Sequence, residues 1–245
     1  MNPKTYKKEG DISYTLGAAL TMELMHNRPQ QVERVYVHSQ FQRGEAYEQL
    51  CRLCHGYGIP VEENDKAFRI LSQKENCFVI GVFRKYSCRL ESDGCHVVLV
   101  NPSNAGNLGT ILRSSAGFRV NDIAIIRPGV DIFDPKTVRA SMGALFHMRF
   151  AYYDSFDAYQ QAFAGHALYP FLLQAKSSLQ KTEFRAPFSL IFGNEATGLP
   201  GEFLSIGHGV IIPHSGDIDS LNLPIAASIA LYQATAERFS GPDGI

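Results

Sequence analysis

HVVLVNPSNAGNLGTILR, residues 96–113, runs from an apolar stretch through asparagines and glycines into a helical pattern. HVVLV (96–100) reads as a buried strand. NLGTILRSSAGF (107–118) reads as an amphipathic helix, and DIAII (122–126) as the next strand. A strand, a helix and a strand in succession imply an α/β layer structure.

The alternation continues outward in both directions. Downstream, PKTVRASMGALF is mixed, and SFDAYQQAFA (155–164) is helical. ALYPFLL (167–173), FSLIF (188–192) and GVIIP (209–213) are strand-like, and PIAASIALYQATAERF (224–239) is a long closing helix. Pro224 suits a first helical turn, where its missing N–H costs little, and Asn222 is the expected N-cap. Upstream, residues 14–26 read as helix and VERVYV (32–37) as strand. EAYEQLCRLCHGYG (45–58) reads as a helix with a glycine stop, and IPV (59–61) as a short strand. A helix is expected near 65–72, then the strand CFVIGVF (77–83). Between the halves, KYSCRLESDGCH is polar and aperiodic, as a linker would be. The expected division is a small α/β domain over 1–90 and a second domain over 91–245.

Composition sets outer bounds. The 245 residues are 45% apolar and 19% charged, which suits a globular chain with a sizeable core. No apolar run is long enough to span a bilayer, and MNPKTYKKEGD lacks the apolar stretch of a secretory signal. The cytoplasm is the expected location. Five cysteines show no disulfide-framework spacing and read as reduced thiols. Net charge is −1. Residues 1–90 carry 13 Lys/Arg against 10 Asp/Glu, and the remainder 10 against 14, so only the N-terminal part leans toward phosphate.

Three loops follow strands and are rich in Gly, Asn, Ser or Pro. In α/β sheets, ligand sites lie at the carboxyl ends of strands. NPSNAGNLGTILR (101–113) brings Asn107 and, two turns into the helix, Arg113. An arginine flanked by Ile111, Leu112 and two serines is expected to be partly shielded, and suits phosphate or carboxylate recognition. A capped helix with a surface arginine would read the same way. FGNEATGLP (192–200) sets Glu195 among glycines, in a tight turn or a functional loop. IPHSGDIDSLNLP (212–224) offers Ser220 and Asn222 at a helix start, with Asp217 and Asp219 expected to be solvated.

Competing constellations fail. There is no G-x-G-x-x-G, no phosphate-binding G-x-x-x-x-G-K-[ST] and no H-E-x-x-H. CRLCH (51–55) matches a haem-attachment pattern, but it reads as an amphipathic helix end with Leu50, Leu53 and Cys54 inward. A zinc site there lacks a second ligand cluster.

Together and in this order, the loops resemble the three motifs of the SpoU/TrmH family, RNA ribose methyltransferases of the SPOUT class. Asn107, Gly109 and Arg113 match the first motif. Gly193, Asn194, Glu195, Gly198 and Leu199 match the second, and Ile212, Pro213, Ser220, Leu221 and Asn222 the third. The match covers 96–240. Departures are Ser114-Ser115 where Thr-Ala is common, Arg119 near an expected Gly, His214 in place of Met, and Leu-Pro after Ser-Leu-Asn.

The resemblance implies a SPOUT catalytic domain with a deep trefoil knot, and a homodimer with active sites near the subunit interface. It implies S-adenosylmethionine as methyl donor and a ribose 2'-hydroxyl as acceptor, with no metal. Arg113, Asn107, Glu195, Ser220 and Asn222 are the catalytic set it implies. Gly193, Asn194, Ile212, Pro213 and Leu221 are the cofactor-binding set. Arg113 would serve as the base, or would orient phosphate and stabilise developing charge. The preceding domain resembles small RNA-binding α/β domains and favours rRNA as target, with tRNA the alternative. A non-catalytic RNA-binding or assembly factor of the same fold is the competing class, and methylation of a base nitrogen a third reading.

Overall fold

The computed structural model of the chain describes residues 3–72 and 76–239. It is a mixed α/β structure that divides into two compact units. One comprises Met1–Tyr86 with Asp131–His147, and the other Ser87–Val130 with Met148–Ile245. Among the described residues, no helix is long and apolar enough to cross a membrane.

The first unit holds β1 (Ile12–Leu16), α1 (Ala18–Asn27), β2 (Val32–Val37), α2 (Glu45–Gly56), β3 (Val61–Glu63), α3 (Asp65–Leu71) and β4 (Val79–Arg84). Its sheet order is β1-β4-β2-β3, antiparallel except for the β2–β3 pair. One cluster gathers Tyr14, Tyr36, Phe68, Ile80 and Val82. The inward side of α2 is Leu50 and Cys54, with Leu53 half-buried, and burial pushes the Cys54 thiol up to about 11.

Residues 14–26 are not one helix. Ile12–Leu16 is an edge strand paired to β4, and Gly17 breaks the chain at φ 122° before α1 begins. The consecutive Ser13, Tyr14 and Thr15 are all buried, and pairing to β4 overrides the helical pattern read across them. Four other strands shift from their expected bounds: 77–83 becomes Val79–Arg84, and 167–173 becomes Ala167–Pro170. The one after α2 is Val61–Glu63, set by its pairing with Val35–Val37, and the one expected over 209–213 shortens to Val210–Ile211.

The segment 131–147 is built into the first unit, which a single cut near residue 90 does not capture. It carries α5 (Pro135–Ala140), N-capped by Asp134. Phe83 meets Phe133 and Phe146 at ring separations of 6.0 and 5.6 Å. The Ser13 hydroxyl donates to the Phe133 carbonyl, and Lys85 pairs with Asp131 at 2.8 Å.

The second unit is a parallel sheet covered by helices. Its elements are β5 (His96–Val100), α4 (Ala105–Gly117), β6 (Asp122–Ile126), β7 (Arg149–Tyr153), α6 (Phe156–Ala162), β8 (Ala167–Pro170), β9 (Ser177–Ser178), β10 (Phe188–Phe192), β11 (Val210–Ile211) and α7 (Leu223–Thr235). The order is β7-β6-β5-β10-β8, all parallel, with β9 and β11 as a separate pair. Continuous apolar strands such as DIAII and FSLIF are buried along their length, as a sheet covered on both faces requires. From β5 the chain first moves outward through β6 and β7. It then returns to the far side, so the order reverses between β5 and β10. Ligand sites form at such a switch, beyond the carboxyl ends of the strands.

Phe146 is 1% exposed. Phe146→Ala is expected to lower stability by about 3–5 kcal/mol in urea unfolding. A change under about 1 kcal/mol would show that 131–147 does not complete the first unit's core.

Candidate active site

Two loops lean on one carboxylate. Leaving β5, the chain reaches Asn104, whose side chain accepts from the backbone N–H of Gly106 at 2.8 Å and Asn107 at 3.1 Å. This cap starts α4 at Ala105, two residues before the expected start. Asn107 is then free to turn its side-chain amide to Glu195 at 3.2 Å. Glu195 also accepts from the Ser103 N–H and hydroxyl at 3.1 and 2.8 Å, and from the Asn104 N–H at 3.1 Å. Burial alone would raise its carboxyl. Hydrogen bonds from its own N–H, Ser103 and Asn107 outweigh that, and the net shift is downward.

The 193–199 loop is itself fixed. Asn194 Oδ1 accepts from the N–H groups of Ala196 and Thr197, and its amide donates to the Asn101 carbonyl at 2.8 Å. A β-carbon at position 193 would collide with the backbone of Gly198 and Leu199, so only glycine fits there.

Beside these loops lies a cavity of about 330 Å³. Phe171, just after β8, and Phe192, ending β10, stack at 4.6 Å within 14° of parallel. Ile211, Ile212 and Leu221 add apolar wall, while Gly193, Asn194 and Ser220 bring polar atoms. His214 donates through Nδ1 to the Ile212 carbonyl at 2.9 Å, tightening the loop after β11.

Of the residues singled out from sequence, Gly193, Asn194, Glu195, Ile212, Ser220 and Leu221 line this cavity. Pro213 sits between two lining residues without lining it, and Asn107 adjoins it through Glu195. Arg113 and Asn222 are not in the lining. Asn222 is exposed, at the N-cap position of α7, but its side chain makes no capping bond. Its carbonyl takes the Ala226 N–H at 3.0 Å. Arg113 is exposed rather than shielded. At 100° per residue, Ile111, Leu112 and Ser115 take the buried side of α4, and Ser114 bonds Ser228 of α7 at 2.7 Å. Arg113 therefore faces outward, with no hydrogen-bond or ion-pair partner among the described residues. The sequence reading missed the walls supplied after β8, Phe171 and Leu172. The signal was there in the apolar run continuing past the strand, read as more strand.

Arg119 stands near the position where the motif pattern led us to expect glycine. Its φ is 55°, the left-handed conformation glycine favours. Its carbonyl accepts from Arg238, and its guanidinium lies over the Phe239 ring at 5.4 Å. These contacts offset a backbone cost of about 1–2 kcal/mol.

Comparison with known proteins gives one family match, the SpoU rRNA Methylase family over residues 94–232. A Synechocystis protein described as an uncharacterised tRNA/rRNA methyltransferase is 33% identical over 147 residues, covering 59% of this chain and 54% of that protein. A 23S rRNA (uridine(2479)-2'-O)-methyltransferase of Streptomyces viridochromogenes is 29% identical over 160 residues, covering 62% and 56%. The chain thus spans little more than half the length of these two relatives. The crystal structure of an AdoMet-bound rRNA methyltransferase from Sinorhizobium meliloti is similar over 94% of this chain and 89% of that one, with TM-score 0.81 and 26% identity.

Because folding depresses the Glu195 carboxyl, its contribution is present above its unfolded value of about 4.3 and is lost as pH falls through the folded value. Glu195→Gln is expected to cost about 1.5–3 kcal/mol at neutral pH. The difference between variant and wild type should start to shrink as pH falls below about 4.3 and close once pH has passed through the folded value. Unfolding curves that stay parallel down to acid pH would show that the charge does not tether the loops.

Proposed function

The chain belongs to the SpoU rRNA methylase family, and we propose that it methylates a ribose 2'-hydroxyl of structured RNA with S-adenosylmethionine. The observation that carries this reading is the cavity, formed by the 193–199 loop, the segment after β8 and the loop after β11, with the 101–107 loop held against it through Glu195. Its volume lies at the lower end of the range for small-molecule sites, about 300–1,000 Å³. The stacked phenylalanines, the apolar walls and the glycine forced at 193 suit a flat aromatic base held against backbone. Gly193, Asn194, Ile212, Pro213 and Leu221 would hold the donor. When bound, S-adenosylmethionine supplies an electrophilic methyl group.

The residues of the chain then act on the hydroxyl. A ribose 2'-OH is weakly acidic, so it must be oriented and its oxygen's developing charge stabilised. Arg113 takes that role as an unpaired, exposed cation on α4. A guanidinium holds its own proton tightly, which favours orienting phosphate and stabilising charge over acting as the base. Glu195 positions: its oxygens are occupied by Ser103, Asn104 and Asn107, so it fixes the start of the helix that carries Arg113. Ser220 and Asn222 stand at the mouth of the third loop, ready for the ribose or the donor.

A homodimer and a knotted C-terminal segment belong to the same proposal. One side of α7 is buried through Ala227, Ala230 and Leu231, while Ile225, Ile229 and Tyr232 are 52%, 38% and 63% exposed along the other. An apolar stripe at this spacing fits a second copy of the chain. The knot is supported by the chain's course, with β10 between β5 and β8 and α7 returning onto α4.

The first unit is assigned to RNA binding, and rRNA is the favoured target. The similarity to the S. meliloti rRNA methyltransferase extends over 94% of the chain, whereas the family match begins at residue 94. A cytoplasmic location accords with such a substrate. A tRNA target is the second reading, since the Synechocystis relative's description names tRNA beside rRNA.

Arg113→Ala is expected to lower methyl transfer by about 10²–10³-fold while donor binding, measured by calorimetry, is retained. Wild-type activity in the variant would refute the assignment. Size separation of the labelled RNA distinguishes rRNA from tRNA, and failure of the wild-type chain to bind the donor would favour a non-catalytic RNA-binding factor. Ile229→Asp should shift the species seen by light scattering from dimer to monomer; an unchanged mass would exclude α7 as the interface.

A further inference from the structure

At the opposite end of the second unit's sheet lies a buried polar chain that methyl transfer does not use. His96 of β5 and Ser189 of β10 are paired in register, and both are fully buried. Tyr159 from α6 and His166, just before β8, join them. His96 Nε2 lies 2.8 Å from the Glu91 carbonyl, and His166 Nε2 3.0 Å from the Ser92 carbonyl. Three contacts link the rings: His96 Nδ1 to Tyr159 Oη at 2.8 Å, Tyr159 Oη to Ser189 Oγ at 2.6 Å, and Ser189 Oγ to His166 Nδ1 at 3.0 Å.

The hydrogens of this chain can be counted. Carbonyls only accept, so each Nε2 must carry a hydrogen. If both imidazoles are neutral, both Nδ1 atoms are bare. Three inner contacts then share two hydroxyl hydrogens, and one contact sets lone pair against lone pair. One added proton fills every contact: on His166 it runs the bonds from His166 to Ser189, Ser189 to Tyr159 and Tyr159 to His96, and on His96 it runs them the other way. A second added proton is one too many.

The surrounding charges accommodate one cation. Arg149 of β7 donates to both oxygens of Asp122 of β6 at 2.8 and 2.6 Å, and pairs with Glu91 at 2.8 Å. Two carboxylates thus face one guanidinium. Cys88 lies beside Arg149, and the Tyr153 ring meets Tyr159 edge-on at 5.3 Å. Arg238 donates to Cys95 at 3.0 Å, and its guanidinium lies over the Phe188 ring at 6.0 Å. Burial, with His166 and Arg149 nearby, pushes His96 down to about 4, which makes it the accepting end.

We propose that His96, Tyr159, Ser189 and His166 form a one-proton latch: a single proton held between the two Nδ1 atoms completes the chain of hydrogen bonds, whose Nε2 ends fasten the 91–92 segment to the base of the sheet. His96 refuses a proton that the unfolded chain accepts near its ordinary value of about 6.5, so stability falls on the acid side.

The test is a titration of the ¹⁵N-histidine-labelled full chain, read from imidazole nitrogen shifts between about pH 5 and 8. The expected result is one buried histidine that stays neutral with its hydrogen on Nε2, and another with both nitrogens protonated at neutral pH. Ser189→Ala removes the middle link and the need for the extra hydrogen, so the imidazolium signal should vanish in that variant. Two neutral rings in the wild type at neutral pH would overturn the proposal, as would two charged ones, or an imidazolium that persists without Ser189. If Ser189→Ala does not fold, Tyr159→Phe makes the same cut, and the wild-type spectrum decides by itself.

Discussion

The second unit depends on β10 lying between β5 and β8. That strand pairs in parallel on both sides, from Ser189 against His96 to Phe192 against Leu99, and from Phe188 against Ala167 to Ile191 against Pro170. Its amino end holds the buried polar chain, and its carboxyl end opens into the 193–199 loop. Because its neighbours come from distant parts of the chain, their loops are delivered to one edge. A change of one residue in this register would turn Ile191 out of the core and move Gly193 away from the only backbone it can approach so closely.

At the carboxyl edge, polar groups are largely consumed in holding each other. Glu195 and Asn194 together engage Asn101, Ser103, Asn104, Asn107, Ala196 and Thr197. Such mutual satisfaction makes the loops stiff without a packed core behind them. It also separates two kinds of residue that look alike in sequence. Glu195 is spent on architecture, while Arg113 and Ser220 retain exposed polar atoms.

Much of this was readable in advance. HVVLV, DIAII and FSLIF are strands at their expected bounds, since an unbroken apolar run allows little else. The three loops were identifiable because glycine, asparagine and proline at strand ends have few other uses. Long-range pairing was not readable. Ile12–Leu16 is a strand because β4 offers an edge, and Val210–Ile211 stops short because it meets the two residues of β9 and a single bridge at Phe171. The exposure of Arg113 depends on which side of α4 is covered by α7, and neighbours in sequence do not reveal that. The buried histidines looked scattered because their meeting point is set by strand order.

The first unit is discontinuous, and this has a consequence for the order in which the protein is made. When residue 86 leaves the ribosome, Phe83 still lacks Phe133 and Phe146, which complete its surroundings. Roughly 60 more residues must be synthesised first, which at about 5–20 residues per second is a delay on the order of several seconds. During that interval the nascent chain carries an open apolar face, together with β5 and β6 of a sheet that cannot close before β10 appears. Neither half is finished when the other begins, so the chain reaches its two units by interleaved growth rather than one after the other.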